Sequence, residues 1–280
     1  MKKGFDQMEW DVLLPRLVTI GLVHFRSRPW KVDENWNSLK RILRGIRRPL
    51  DIVITPECVT DGYSVKEASA SSTWKRRGEW VSRCTIPPSS SILREAGELS
   101  RQLRSYLLLG FSERAGEDLV YNSVAVFSRS GRRIGTYRKT HLQHHDLQFA
   151  PGWSWLVVEA DFGRFGVLIC ADRRWPEAVR CQRILGAEVL AIPSFGMSGS
   201  LNTAMLRTRA YENGFYVAFA HPARSVVVAP DGELILDVES DRPGVETATL
   251  DLEAVEDSHL QDRRIDLYKD LMCRPTGIAP

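Results

Sequence analysis

The sequence carries five cysteines, an odd number, and none of them form a CxxC pair. A disulfide framework and a zinc ribbon are both unsupported, and free thiols fit a reducing compartment, so a cytoplasmic location is expected. No uninterrupted apolar run approaches the roughly 18 residues that suggest a membrane span. Near the start, Asp6, Gln7, Glu9 and Asp11 interrupt what would have to be a signal peptide's apolar region. Net charge is also scarce. The 38 basic and 35 acidic side chains leave +3, too little to imply nucleic acid as a partner, and Arg44, Arg47 and Arg48 read as a solvated helix face. Internal repeats and low-complexity blocks are missing too. What is present, 280 residues at 43% hydrophobic and 26% charged, suits one large α/β domain over residues 1–280.

Residues 17–25 (LVTIGLVHF) and 51–55 (DIVIT) read as buried strands. Between them a helix is predicted from Asn35, because Trp36, Leu39, Ile42, Leu43 and Ile46 recur at helical spacing until Pro49. The polar, serine-rich stretch 66–91, with Trp74 and Trp80 inside it, reads as a long excursion of the kind that serves as a lid or substrate loop. A helix over 91–105 leads into a strand over 106–113, and a hairpin about Ser130-Gly131 joins strands 121–128 and 132–139. Further strands are expected at 154–159, 166–169, 188–194, 215–221 and near 247–252, with helices at 176–185 and 201–213 and a hairpin about Pro230-Asp231-Gly232. The tail over 255–280 is polar at its start and is expected to reach across to a second subunit. Strand–helix units mixed with hairpins argue for an α/β chain with mixed sheets of α+β type.

Three chemically able side chains each follow an apolar strand: Glu57 after DIVIT, Lys139 after the second hairpin strand, and Cys170 after Val167-Leu168-Ile169. Taken singly, Cys170 could be an inert buried thiol and Glu57 a partly solvated loop carboxylate. Together they supply a base, a cation and a nucleophile at strand ends, where active sites are usually assembled. Cys170 also stands where a strand gives way to a helix start at Pro176, a placement whose free amides activate a thiol and can bind an oxyanion.

On these residues the chain resembles the nitrilase superfamily of carbon–nitrogen hydrolases. Its three motifs are matched by TPE ending in Glu57, YRKTHL containing Lys139 and GVLICADRRWPE containing Cys170, and GY (62–63), YNS (121–123), FAPG (149–152), GAEVL (186–190), RAYEN (209–213) and PDG (230–232) follow in order. The resemblance implies a four-layer α-β-β-α sandwich, a homodimer or higher homo-oligomer, a small-molecule amide or ureido substrate, and no metal or organic cofactor. It implies Glu57 as general base, Cys170 as nucleophile, and Lys139 with the Ala171 backbone N–H as oxyanion donors. The family often carries a second glutamate before FxPG; here the stretch reads HHDLQFAPG, which puts His145 at that place and Asp146 next to it, where only the aspartate can supply negative charge. True nitrilases resemble one another in a Trp-Glu after the cysteine, whereas this chain has Ala171-Asp172. The run 172–178, DRRWPEA, is similar to N-carbamoyl-D-amino-acid amidohydrolases, which implies Arg173 and Arg174 as binders of a substrate carboxylate; salt bridges to Asp172 or Glu177 are the other reading. An amidase or carbamoyl amidohydrolase is thus expected, with a catalytically silent binding protein or a nitrile-hydrolysing enzyme as alternatives.

Overall fold

The period-2 alternation of each strand decides how the layers stack. In β1 (Leu17–His24), Val18, Ile20 and Leu22 join one core cluster while Val23 joins another. The same split recurs in β2 (Ile52–Ile54), where Ile52 and Ile54 face one way and Val53 the other. Strands that are apolar on both faces must be covered on both. One cover is formed by α1 (Val32–Arg44), through Trp36, Leu39 and Leu43, and by α4 (Ser91–Leu103), through Ile92, Leu93, Ala96 and Leu99. Between them in the chain lie α2 (Val65–Ser69) and α3 (Trp74–Cys84).

The chain continues through β3 (Tyr106–Arg114), β4 (Val120–Phe127), β5 (Arg133–Arg138), β6 (Leu156–Ala160), β7 (Gly163–Val167), α5 (Pro176–Ile184), β8 (Val189–Pro193) and α6 (Ser200–Asn213). It then forms β9 (Tyr216–His221), β10 (Arg224–Val228), β11 (Leu234–Glu239), β12 (Gly244–Asp251) and the short α7 (Ser258–Gln261). This computed structural model describes residues 15–69, 74–116 and 119–272. Two mixed six-stranded sheets result, in the orders β12-β1-β2-β3-β4-β5 and β11-β10-β9-β8-β7-β6. Their inner faces share the largest core cluster, to which Ala178 and Val179 of α5 and Leu206 and Ala210 of α6 also belong. The result is the expected α-β-β-α sandwich.

Two expectations need correction. The first helix begins at Val32, three residues early, with Asp33 and Glu34 in its first turn, where acidic side chains complement the helix dipole. Within 66–91 the described stretches 66–69 and 74–84 are helical rather than a loop, because Trp80, Val81 and Cys84 on α3 bury into a cluster with Tyr63, Val65 and Phe149. The side chain of Trp74 lies outside the described residues, as do Cys273 and the end of the tail. Among the described residues, no helix is long and apolar enough to cross a membrane.

Candidate active site

Glu57 follows β2 through a turn that the neighbouring strand must approach closely. The Thr55 hydroxyl donates to the Leu108 carbonyl (3.0 Å) and accepts from the Gly110 N–H (3.0 Å). A Cβ at Gly110 would lie 2.3 Å from the Pro56 carbonyl oxygen, so the approach requires glycine. Glu57 N–H in turn donates to the Ser194 carbonyl (3.3 Å), which ties the end of β2 to the end of β8 in the other sheet.

Lys139 is fixed by a second close approach. Its N–H donates to the Asn122 carbonyl and its carbonyl accepts from Gly152 N–H, both at 2.8 Å. A Cβ on Gly152 would stand 2.1 Å from the Arg138 carbonyl oxygen, which gives the glycine of FAPG its physical reason. Arg138 beside it forks onto buried Glu113 at 2.8 and 2.7 Å and covers the Tyr121 ring.

Cys170 adopts φ +45, the left-handed region that non-glycine residues enter at a cost of about 1–3 kcal/mol. Asp172 holds it there. Its Oδ2 accepts from Ile169 N–H (3.0 Å) and the Tyr137 hydroxyl (2.8 Å), while Oδ1 accepts from the Thr140 hydroxyl (3.0 Å) and His141 N–H (2.8 Å). Burial, together with the Asp172 charge, pushes the Tyr137 pKa up and keeps that hydroxyl a donor. Ala171 follows, fully buried, and Gly196 flanks the sulfur: a Cβ there would stand 3.7 Å from Cys170 Sγ.

These supports bring a buried ionic array together. Lys139 Nζ donates to Glu57 Oε1 at 2.9 Å and to Asp146 Oδ2 at 2.7 Å, with all three side chains closed to solvent. Burial opposes the ammonium, but the pull of Glu57, of Cys170 once ionised and of Asp146 outweighs it, and the Lys139 pKa is raised. Cys170 therefore stands within electrostatic reach of the array. Asp146 also accepts from the Tyr63 hydroxyl (2.5 Å) and from Gln143 N–H (3.2 Å).

The place expected of a second acid is thus filled by Asp146 rather than His145. A 3-10 turn over His144–Asp146 carries the carboxylate to Lys139, while half-buried His145 sets its ring edge-on to Tyr63 and His144. Arg173 is not free to clamp a substrate. It is fully buried, donating to the Cys170 carbonyl, Asn202 Oδ1 (2.7 Å) and the Met197 carbonyl (2.8 Å), with its guanidinium over the Phe219 ring. The expected bridges to Asp172 or Glu177 are not made among the described residues. Arg174 is exposed, and its guanidinium meets no partner there.

Sequence reasoning missed the parts played by Asn122, Tyr63 and Asp172. Their only signal was membership of YNS, GY and the cysteine motif. Among the described residues, no three histidine, cysteine or carboxylate side chains are grouped to hold a metal ion.

Comparison with known proteins is decisive at the level of family. The family model described as carbon-nitrogen hydrolase matches residues 19–259. The chain belongs to the carbon–nitrogen hydrolase family. An omega-amidase of Xenopus tropicalis is 30% identical, over 89% of this chain and 96% of the relative. A hydrolase in the pqqF 5′ region of Pseudomonas protegens is 29% identical over 92% and 93%. The crystal structure of a carbon–nitrogen hydrolase from Helicobacter pylori G27 superimposes with a TM-score of 0.75 at 23% identity, covering 92% of this chain and 99% of that one.

Proposed function

We propose that this member of the family hydrolyses a small linear amide or N-carbamoyl group through a thioester on Cys170. The observation that carries the reading is the buried Glu57–Lys139–Asp146 array set against a cysteine held in a left-handed turn at a strand end. Glu57 accepts the thiol proton as the Cys170 sulfur attacks the carbonyl carbon. The oxygen that gains charge is met by Lys139 and the Ala171 N–H, donors worth about 3–4 kcal/mol each in comparable sites. Collapse of the tetrahedral adduct breaks the C–N bond, and Glu57 returns its proton to the leaving ammonia or amine. Water then attacks the thioester while Glu57 takes one of its protons. The acid departs and that proton returns to the sulfur.

Asp146 supplies the negative charge that keeps Lys139 placed and protonated when Glu57 is neutral. Exposed Arg174, rather than Arg173, is the guanidinium available to a substrate carboxylate. The enzyme would work as a homodimer in the cytoplasm, paired through the α5–α6 face, where Ile184, Leu185 and Tyr211 stand at least half exposed. The omega-amidase relative supports the amide class.

Ammonia release by the wild type and Cys170→Ala tests this across ω-amides, N-carbamoyl amino acids, short aliphatic amides and nitriles. Release from amides or ureido compounds that disappears in the variant is expected. Release that survives the substitution, or that comes only from nitriles, overturns the reading.

A further inference from the structure

A carboxylate that works as a base needs one oxygen held and the other free. In Glu57 the two are treated unequally. Oε1 accepts from Lys139 Nζ and, at 2.7 Å, from Asn122 Nδ2, whereas buried Oε2 has no hydrogen-bond partner among the described residues. We propose that Asn122, its amide turned by the Cys58 thiol, is a positioning residue that anchors Oε1 of Glu57 and reserves Oε2 for the proton of Cys170. The proposal rests on the reading of Glu57 as the base.

Asn122 lies on β4 and is buried, and its own carbonyl accepts from Lys139 N–H, so one residue locates both the lysine and the carboxylate it meets. A side-chain amide has a donor end and an acceptor end. Turned the other way, it would set two acceptor oxygens against each other. Cys58 favours the same orientation from the other end, because its Sγ lies 3.4 Å from Asn122 Oδ1 and donates to it. Burial and the charges of Asp61 and Glu57 push the Cys58 thiol well up, which keeps it S–H and therefore a donor. The neighbouring Ser112 hydroxyl donates to Asp61 (2.9 Å) and lies 3.7 Å from Cys58 Sγ, so among the described residues the donor that meets the Asn122 oxygen is the Cys58 thiol. Cys58 follows Glu57 directly and sits at φ +46, so the turn that delivers the base also delivers the group that orients its partner.

The test compares Asn122→Ala, Cys58→Ala and Cys58→Ser with the wild type and Glu57→Gln. Two readouts are used: iodoacetamide labelling of Cys170, followed by peptide mass spectrometry, and kcat and KM on the best amide. Asn122→Ala is expected to slow labelling and lower kcat about 10–100-fold with KM within about threefold, because orientation of the base rather than binding is lost. Cys58→Ala is expected to lose about fivefold, and Cys58→Ser, whose hydroxyl can still donate to the amide, to recover to within about twofold of wild type. Wild-type rates in Asn122→Ala, or a Cys58→Ser variant as slow as Cys58→Ala, overturn the proposal. If Asn122→Ala does not fold, the Cys58 pair alone decides it. Should Glu57→Gln label as fast as wild type, the base reading itself fails; slow labelling there with fast labelling in Asn122→Ala defeats only the positioning role.

Discussion

Gly110 owes its importance to the 2.3 Å that would separate an added Cβ from the Pro56 carbonyl oxygen. Gly110→Ala must push the Glu57 turn away from β3, and the expected result is a loss of about 1–3 kcal/mol in urea unfolding together with a fall in kcat of about 100-fold. Unchanged kinetics would mean that the turn relaxes without moving the carboxylate. The two arginines that follow Cys170 separate by the same kind of argument. Arg173→Leu removes the donors that hold the Cys170 and Met197 carbonyls, so activity should fall equally on charged and uncharged substrates. Arg174→Ala should raise KM about tenfold for carboxylate-bearing substrates alone. If Arg173→Leu instead affects only carboxylate substrates, its buried placement is not the working one. The placement of Glu57 and Cys170 was legible in the sequence because each follows a buried apolar run, and that of Lys139 because it stands inside a short motif at the end of a hairpin strand. For the second acid the sequence offered His145 and Asp146 side by side and only charge to choose between them, since counting residues cannot show that a 3-10 turn carries the carboxylate one position later. The burial of Arg173 was not legible: its charge suggests solvent, and only the folded turn brings its guanidinium back onto the Cys170 carbonyl.

The strand–turn elements that bear the site depend on His221 at the end of β9. Its Nε2 lies 2.9 Å from the Phe195 carbonyl, and its Nδ1 accepts from Ala223 N–H at 3.2 Å, so the neutral ring holds the segment beside Gly196 and the Cys170 sulfur. Burial pushes its pKa down from 6.5 to about 4, against the opposing pull of the Phe195 and Gly196 backbone. As pH falls, the unfolded chain takes up this proton before the folded one does. The stabilisation is therefore complete above pH 6.5 and is lost as pH drops towards 4. By about pH 5 the loss approaches 2 kcal/mol. His221→Gln should flatten the dependence of the urea midpoint on pH between 7 and 5; an unchanged slope would assign it to other groups. Most elements were legible because apolar alternation and turn residues bounded them. The helical stretch within 66–91 was hidden because its buried side is narrow: Trp80, Val81 and Cys84 are set among serines and charges, and their apolar partners Tyr63 and Phe149 are distant in sequence.

At the scale of the whole molecule, both sheets are covered, and part of the exposed apolar surface gathers around one cavity beside α5 and α6. Ile184 and Leu185 at the end of α5, Tyr211 on α6, and Ile265, Leu267, Leu271 and Met272 in the tail are exposed in the single chain. The described part of the tail rests on its own chain, with Tyr211 against His259 and Arg183 paired to Asp257, and it leaves a cavity of 830 Å³ lined by Arg180, Cys181, Ile184, Tyr268 and Leu271. Apolar patches of this kind mark association surfaces, and a stable pair needs about 800 Å² from each partner. Ile184→Glu combined with Leu185→Glu should convert a dimer to monomers in sedimentation or mass photometry. Glu57, Lys139 and Cys170 lie buried in the interior of one chain, so the separated protomer should keep labelling at Cys170 while losing thermal stability. A wild type that is monomeric at micromolar concentration would remove the pairing from the account and leave the chemistry of the site unaltered. Loss of Cys170 labelling on dissociation would instead mean that the partner holds the α5 end against the nucleophile turn, making assembly a condition of catalysis.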